Sequence, residues 1–167
     1  MALLHILEYP DPRLKKVASP VTAFTPELSK LVRDMAETMY AAPGVGLAAT
    51  QVDVHKRLLI IDISEARDDL KVFVNPEILS AEGDAEQEEG CLSVPGYYDK
   101  VKRAARITVQ AQNERGERFE LAAEGTLAVC IQHEMDHLIG KVFVEYLSPL
   151  KRARLAARLR KKQKLAG

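Results

Sequence analysis

The sequence predicts an α+β domain in which mixed or antiparallel β-sheets surround one central buried helix, with a further helix at the C-terminus. Three observations carry this. The middle of the chain holds short apolar, β-branched runs between turn residues, such as Leu58-Leu59-Ile60-Ile61 and Val72-Phe73-Val74. The stretch from Gly125 to about Ile139 is helical in spacing and apolar on two sides, and such a helix is buried. The order is helix, strands, helix, helix, which segregates the two kinds of structure. A length of 167 residues suits one domain, 1–167, with a single core.

The elements follow in order. Pro10-Asp11-Pro12-Arg13 opens a short helix after a turn. Thr25-Pro26-Glu27 places a hydroxyl at the N-cap, Pro at N1 and an acid in the first turn of the next helix. That helix runs to about Tyr40, with Leu28, Leu31, Met35 and Met39 as core filler, and Pro43-Gly44 ends it. Gly46 to Val52 is expected to be extended. Arg57 to Ile63 is a buried strand, Val72 to Asn75 another, stopped by Pro76, with Glu77 to Ala81 continuing the sheet. The acidic stretch Glu82 to Glu89 is expected as a solvated loop or edge. Ala105 to Gln112 alternates as a strand, and Asn113-Glu114-Arg115-Gly116 turns the chain into Phe119-Glu120-Leu121. Ser148-Pro149 starts the last helix, about 148–165.

The buried helix carries the chemistry. Gln132-His133-Glu134-Met135-Asp136-His137 contains His-Glu-x-x-His. On a helix this spacing sets both imidazoles one turn apart on one face, where they can share a metal ion. Glu134, between them, is about 100° round the helix, within reach of the proton of a metal-bound water. Leu127, Ile131, Met135 and Leu138 form an apolar stripe on the far side. Burying two His and a Glu without partners is costly, so a ligand is expected.

A catalytic metal usually takes three protein ligands and leaves one position for water. A third His six residues after the second is excluded, because Phe143 stands there. A downstream carboxylate is excluded too, because no acid follows Glu145. The third ligand therefore lies upstream. His5 and His55 read as surface or turn residues. Cys130 shares the face of His133 but reads as a small hydrophobe lining the pocket. Cys91 sits in Glu88-Glu89-Gly90-Cys91-Leu92-Ser93-Val94-Pro95-Gly96, a loop or short strand whose glycines permit close approach of a metal or substrate.

These residues resemble the peptide deformylase family of bacterial type. Three blocks carry the resemblance: Gly44-Val45-Gly46-Leu47-Ala48-Ala49-Thr50-Gln51, then Glu89-Gly90-Cys91-Leu92-Ser93, then Gln132-His133-Glu134-Met135-Asp136-His137-Leu138-Ile139-Gly140. Their order and separation fit the family, and the similarity runs from about Leu3 to the C-terminal helix. The resemblance implies that Cys91, His133 and His137 hold the metal and that Glu134 is general base and then general acid. It implies that Gln51 and the backbone N–H of Leu92 stabilise the oxyanion. Gly44, Val45 and Gly46 would lie along the substrate backbone, and Glu89, Val129 and Cys130 would border the methionine pocket. Tyr98 stands where many bacterial members carry Arg, and Thr50 where Pro is common.

The implied reaction is hydrolysis of N-formyl-methionyl polypeptides to formate and free amine. Two neutral imidazoles and a thiolate form a soft donor set that admits Fe²⁺, Zn²⁺, Co²⁺ or Ni²⁺. The resemblance implies ferrous iron, with the other ions able to replace it. The implied partners are N-formyl-methionyl nascent peptides, not DNA or membrane, and a monomer is expected. Two rivals share features of the sequence. A small metalloprotease would need the downstream ligand excluded above. A non-catalytic module, binding metal or nucleic acid, would need a fourth protein ligand in place of water.

Composition is ordinary for a globular protein, with 47% hydrophobic and 29% charged residues. Two Cys do not make a disulfide framework and fit a reducing compartment. The N-terminus lacks the basic n-region and apolar h-region of a signal peptide, and no apolar run approaches membrane length, so a cytoplasmic location is expected. Net charge is zero but unevenly spread. Lys151, Arg152, Arg154, Arg158, Arg160, Lys161, Lys162 and Lys164 lie after Tyr146 with no acid among them. Such a basic helix suits an anionic partner, and the resemblance points to the ribosome.

Overall fold

The computed structural model describes the backbone of residues 3–166 and side chains through Lys162. Met1, Ala2, Gly167 and the side chain of Lys164, part of the expected basic run, lie outside the described residues. Among the described residues, seven strands and three α-helices follow in the predicted order of helix, strands, helix, helix. Strands β1 (Gly46–Ala48), β2 (Leu58–Ile61), β3 (Lys71–Glu82), β6 (Arg106–Gln112) and β7 (Arg118–Glu124) form a five-stranded sheet in the order β1-β2-β3-β6-β7. Strands β4 (Ala85–Cys91) and β5 (Val94–Arg103) form a separate hairpin. Every strand pairing within these sheets is antiparallel.

Strands β1, β2 and the first half of β3 are apolar on both faces because this part of the sheet separates two cores. Leu59, Ile61, Phe73 and Ala48 point to one side, where they meet Ala128, Ile131 and Leu138 of α2 (Gly125–Leu138). Leu58, Ile60, Val74 and Leu47 point to the other, where they meet Leu28, Val32, Met35 and Met39 of α1 (Pro26–Ala41). A period of two along a strand yields this partition, and a sheet covered on both faces explains the continuous run Leu58–Ile61. The N-cap of α1 forms as expected, with Thr25 Oγ1 accepting from Leu28 N at 3.3 Å. A third core joins Leu7, Leu14, Val94, Val101, Phe143 and Val144 to Leu155 of α3 (Pro149–Ala166).

Two local expectations are corrected and a third is narrowed. Gly46–Val52 is extended only to Ala48; Ala49–Val52 is a 3₁₀ turn. Gln51 Oε1 closes that turn by accepting from Ala48 N at 2.9 Å, and Leu7 N reaches across to Gln51 O at 2.7 Å. Of the two forms expected for the acidic stretch Glu82–Glu89, loop or edge, the edge forms: from Ala85 it is β4, one of the two strands of the hairpin. Its outward acids lie opposite the bases of β5 (Glu86↔Lys102, Glu88↔Lys100), a favourable cross-strand arrangement. Pro76 does not stop β3, which continues to Glu82 with a register shift between Val74 and Glu77. Among the described residues no helix is long and apolar enough to cross a membrane.

Candidate metal centre

Helix α2 is held against the strands by polar as well as apolar contacts. The Gln132 side chain accepts from Ala104 N at 3.0 Å and donates to Ala104 O at 2.9 Å. This fixes the rotation of the helix, so the next residue, His133, and its i+4 partner His137 point away from the sheet core. Both imidazoles are buried, with centroids 5.3 Å apart.

The β4–β5 hairpin brings Cys91 to them. Cys91 ends β4, and Leu92-Ser93 make a two-residue turn into β5. Cys91 Sγ lies 3.3 Å from His137 Nε2. One ligand atom each from Cys91, His133 and His137 fall within 4.8 Å of one another. His133 presents Nε2, because its Nδ1 is hydrogen-bonded to Glu89 Oε1 at 2.7 Å. A carboxylate behind a ligating imidazole fixes its tautomer and raises its basicity.

Glu89 is itself locked. Arg103 binds it as a fork, Nε to Oε2 at 2.8 Å and Nη2 to Oε1 at 2.9 Å. Arg103 also reaches Asp136 at 2.7 Å, and Asp136 accepts from Tyr146 OH at 2.7 Å. Burial works to raise the Glu89 carboxyl, but Arg103 and His133 outweigh it and hold it below its ordinary value. Glu89 is thus buried between Arg103 and His133, with its carboxylate bonded to both.

Glu134 is buried beside the cluster, with Oε2 4.0 Å from His133 Nε2. Burial, opposed by His133, pushes its carboxyl up to about 7. A group divided between its two forms near neutrality suits taking a proton and returning it. Its Oε1 and His137 Nδ1 have no hydrogen-bond partner among the described residues. Burial works to lower His133, yet Glu134, Cys91 and Glu89 hold it well above its ordinary value. His137 goes the other way through burial, then the charges of His133 and Arg103. Two imidazoles and a sulfur whose ligand atoms lie within 4.8 Å of one another can share one cation between them. The donor set fits one divalent ion.

An open cleft of about 520 Å³ leads to Cys91 and Glu134. Gly44, Val45 and Gly46 form one rim; Gly90, Leu92, Pro95 and Tyr98 form the other. A Cβ on Gly46 would stand 2.6 Å from Glu134 Oε2, so a side chain there would displace that carboxylate.

The family model for polypeptide deformylase matches residues 3–153. The chain belongs to that family. It is 65% identical to peptide deformylase 1 of Ralstonia nicotianae over 98% of this chain and 97% of that one. The crystal structure of a peptide deformylase from Legionella pneumophila superposes with a TM-score of 0.93 at 52% identity, covering 99% of this chain and 98% of that one. The peptide deformylase of Ehrlichia chaffeensis, in complex with actinonin, superposes with a TM-score of 0.91 at 41% identity, covering 97% and 98%. The chain is therefore a metal-dependent enzyme of the deformylase family.

Within this enzyme the residues nominated from sequence separate into groups. Cys91, His133, His137 and Glu134 converge, and Gln51 joins them, its Nε2 3.5 Å from Cys91 Sγ and 3.0 Å from Ser93 Oγ. Leu92 lines the cleft. Val129 is buried in α2, and Cys130 packs on the main core. Burial pushes the Cys130 thiol up to about 12, so it stays protonated, and it is not part of the ligand cluster. His55 pairs with Asp53 at 2.9 Å and is not part of the ligand cluster. Arg103, Asp136 and Ser93 were not foreseen as parts of the site. The one available signal was Glu89, an acid next to a candidate ligand that needed a cation if buried.

Gln51→Leu is expected to lower turnover by about 10²–10³ while metal content stays near that of the parent, because a preorganised donor is lost. Steady-state formate release with metal analysis on the same sample checks this. A loss of metal equal to the loss of rate would count against it.

Proposed function

We propose that this enzyme hydrolyses the N-formyl group of N-terminal formyl-methionine on newly made polypeptides, releasing formate, in the cytoplasm where those chains emerge. The observation that carries the residue assignment is the convergence of Cys91, His133 and His137 ligand atoms within 4.8 Å, with Glu134 beside them. Two imidazoles and a thiolate suit a soft divalent ion, and Fe²⁺ is the metal proposed, with Zn²⁺, Ni²⁺ or Co²⁺ as replacements. When bound, such an ion supplies Lewis acidity, lowering the pKa of water from 15.7 towards about 7.

The protein residues do the remainder. Glu134 takes a proton from the attacking water. The water oxygen adds to the formyl carbon, and negative charge develops on the formyl oxygen. Gln51 Nε2 and the Leu92 N–H are the donors proposed to meet that charge. Glu134 then delivers its proton to the leaving nitrogen, the C–N bond breaks, and formic acid and the amine separate, the acid ionising to formate as the amine takes up its proton. The rim Gly44–Gly46 aligns the peptide, while Glu89, Val129 and Cys130 shape the methionine pocket from behind, Glu89 by fixing His133.

The decisive experiment is anaerobic purification, metal analysis and an assay on formyl-Met-Ala-Ser beside a peptide with only internal bonds. Formate release with intact internal bonds supports the reading. Cleavage of internal bonds alone would favour a protease, and a fourth protein ligand would favour a structural metal site.

The basic helix α3 is proposed to bring the enzyme to the ribosome. Arg152, Arg154, Arg158, Arg160, Lys161 and Lys162 are exposed, whereas Leu155 is buried in the third core. Charge removal is therefore a cleaner test than truncation. Replacing Arg152, Arg154, Arg160, Lys161 and Lys162 by Gln is expected to lower ribosome affinity strongly at about 0.1 M salt and less as salt rises. Co-sedimentation with ribosomes measures it, and unchanged affinity removes the idea.

A further inference from the structure

We infer that Arg67 is a positioning residue for substrate binding: its guanidinium holds the Gly44 carbonyl and thereby fixes the rim that faces the peptide. The inference rests on the cleft being the deformylation site. Between the end of α1 at Ala41 and the start of β1 at Gly46 the rim has no regular secondary structure of its own. Beyond Ala42, which bonds back to α1, three contacts pin Gly44 and Val45. Gly44 N donates to Met39 O at 2.8 Å, and Asp62 N donates to Val45 O at 2.8 Å. The Gly44 carbonyl, by contrast, depends on a side chain, the Nη2 of Arg67.

Arg67 is presented by a loop built for the purpose. Its own φ is +58°, a left-handed conformation that a side chain other than glycine rarely adopts. Its Nη1 donates to Asp62 O at 3.1 Å, and its guanidinium lies 5.0 Å from the centroid of the Tyr40 ring. Asp62 is fully buried and anchors both sides of this arrangement. It accepts from Tyr40 OH at 2.6 Å, from Ser64 N at 2.9 Å and Ser64 Oγ at 2.6 Å, and from Asp69 N at 3.1 Å. Helix α1 and the loop after β2 are thus tied into one frame around the rim.

The rim has little room for error. A Cβ on Gly44 would stand 2.6 Å from Leu92 Cδ1 across the cleft. Gly46 is fixed separately by the β1–β2 ladder, where it pairs with Ile61. Loss of Arg67 therefore frees the outer part of the rim, at Gly44, and leaves the part against Glu134 in register. Binding should suffer and chemistry should not.

The test is steady-state formate release from formyl-Met-Ala-Ser by the metal-loaded enzyme and its Arg67→Met and Arg67→Lys variants, with metal content and melting temperature. Losing a charge-assisted hydrogen bond should raise KM about tenfold in Arg67→Met, with kcat within about twofold. Arg67→Lys keeps one donor but not the fork, and its KM should fall between the two. A parent KM in Arg67→Met overturns the inference, whether or not the protein melts earlier. So does a fall in kcat at constant KM, or a Lys variant that folds with full metal and recovers nothing. Parent enzyme that releases no formate would instead sink the deformylase reading, and the inference with it.

Discussion

Glu134→Ala is expected to retain the metal and lose turnover by several orders of magnitude. The metal should stay because the converging ligand atoms belong to Cys91, His133 and His137, not to Glu134. Turnover should go because the neighbouring buried carboxylates are engaged: Glu89 is occupied by Arg103 and His133, and Asp136 by Arg103 and Tyr146. General acid–base catalysis alone accounts for about 10²–10⁴ in rate, and here one group serves both proton transfers. The alanine variant also leaves space beside the metal, so Glu134→Gln is the sharper comparison. It keeps the volume and burial but cannot accept the proton, and it should be as inactive as the alanine. Metal stoichiometry and single-turnover formate release measure the two effects separately. Near-normal turnover in either variant would remove Glu134 from its role.

What the sequence could announce about this site depended on whether its partners are local. His133, Glu134 and His137 are fixed by one helix, so their geometry follows from spacing alone. Cys91 is 42 residues upstream of His133, and elimination reached it only because the chain after Glu145 has no acid and position 143 is Phe. Arg103 escaped notice for a different reason. Pro95, Gly96 and the charges at Asp99, Lys100 and Lys102 obscure the alternation of β5, so nothing in the sequence shows that Arg103 faces inward and meets Glu89. The 3₁₀ turn at Ala49–Val52 is likewise the product of contacts from afar and from its own Gln51, which a reading by period cannot detect. The α1 cap and the two-faced strand Leu58–Ile61 were legible because each depends on chemistry within a few residues.

Cys91→Ala is expected to abolish metal binding, and activity with it. Two imidazoles on one helix leave a catalytic ion a ligand short of the usual three. The sulfur is also the one anionic donor in the set, so its loss removes both a bond and the charge that draws a divalent ion in. Cys91→Ser should fare little better, since a neutral hydroxyl is a harder and weaker donor than a thiolate. The comparison that gives this meaning is Glu89→Gln. There all three ligands remain and only the carboxylate behind His133 changes, so metal affinity should fall about 10–100-fold while saturating metal restores turnover. The Gln variant also removes one of the two carboxylates that pair with Arg103, leaving Asp136, so a lower melting temperature is part of the expected result. Metal titration of apoprotein, followed by formate release at each metal concentration, distinguishes the two variants. A Cys91→Ala protein that held stoichiometric metal and turned over would mean that the ion sits elsewhere, and neither Glu134 nor Gln51 would keep its assignment.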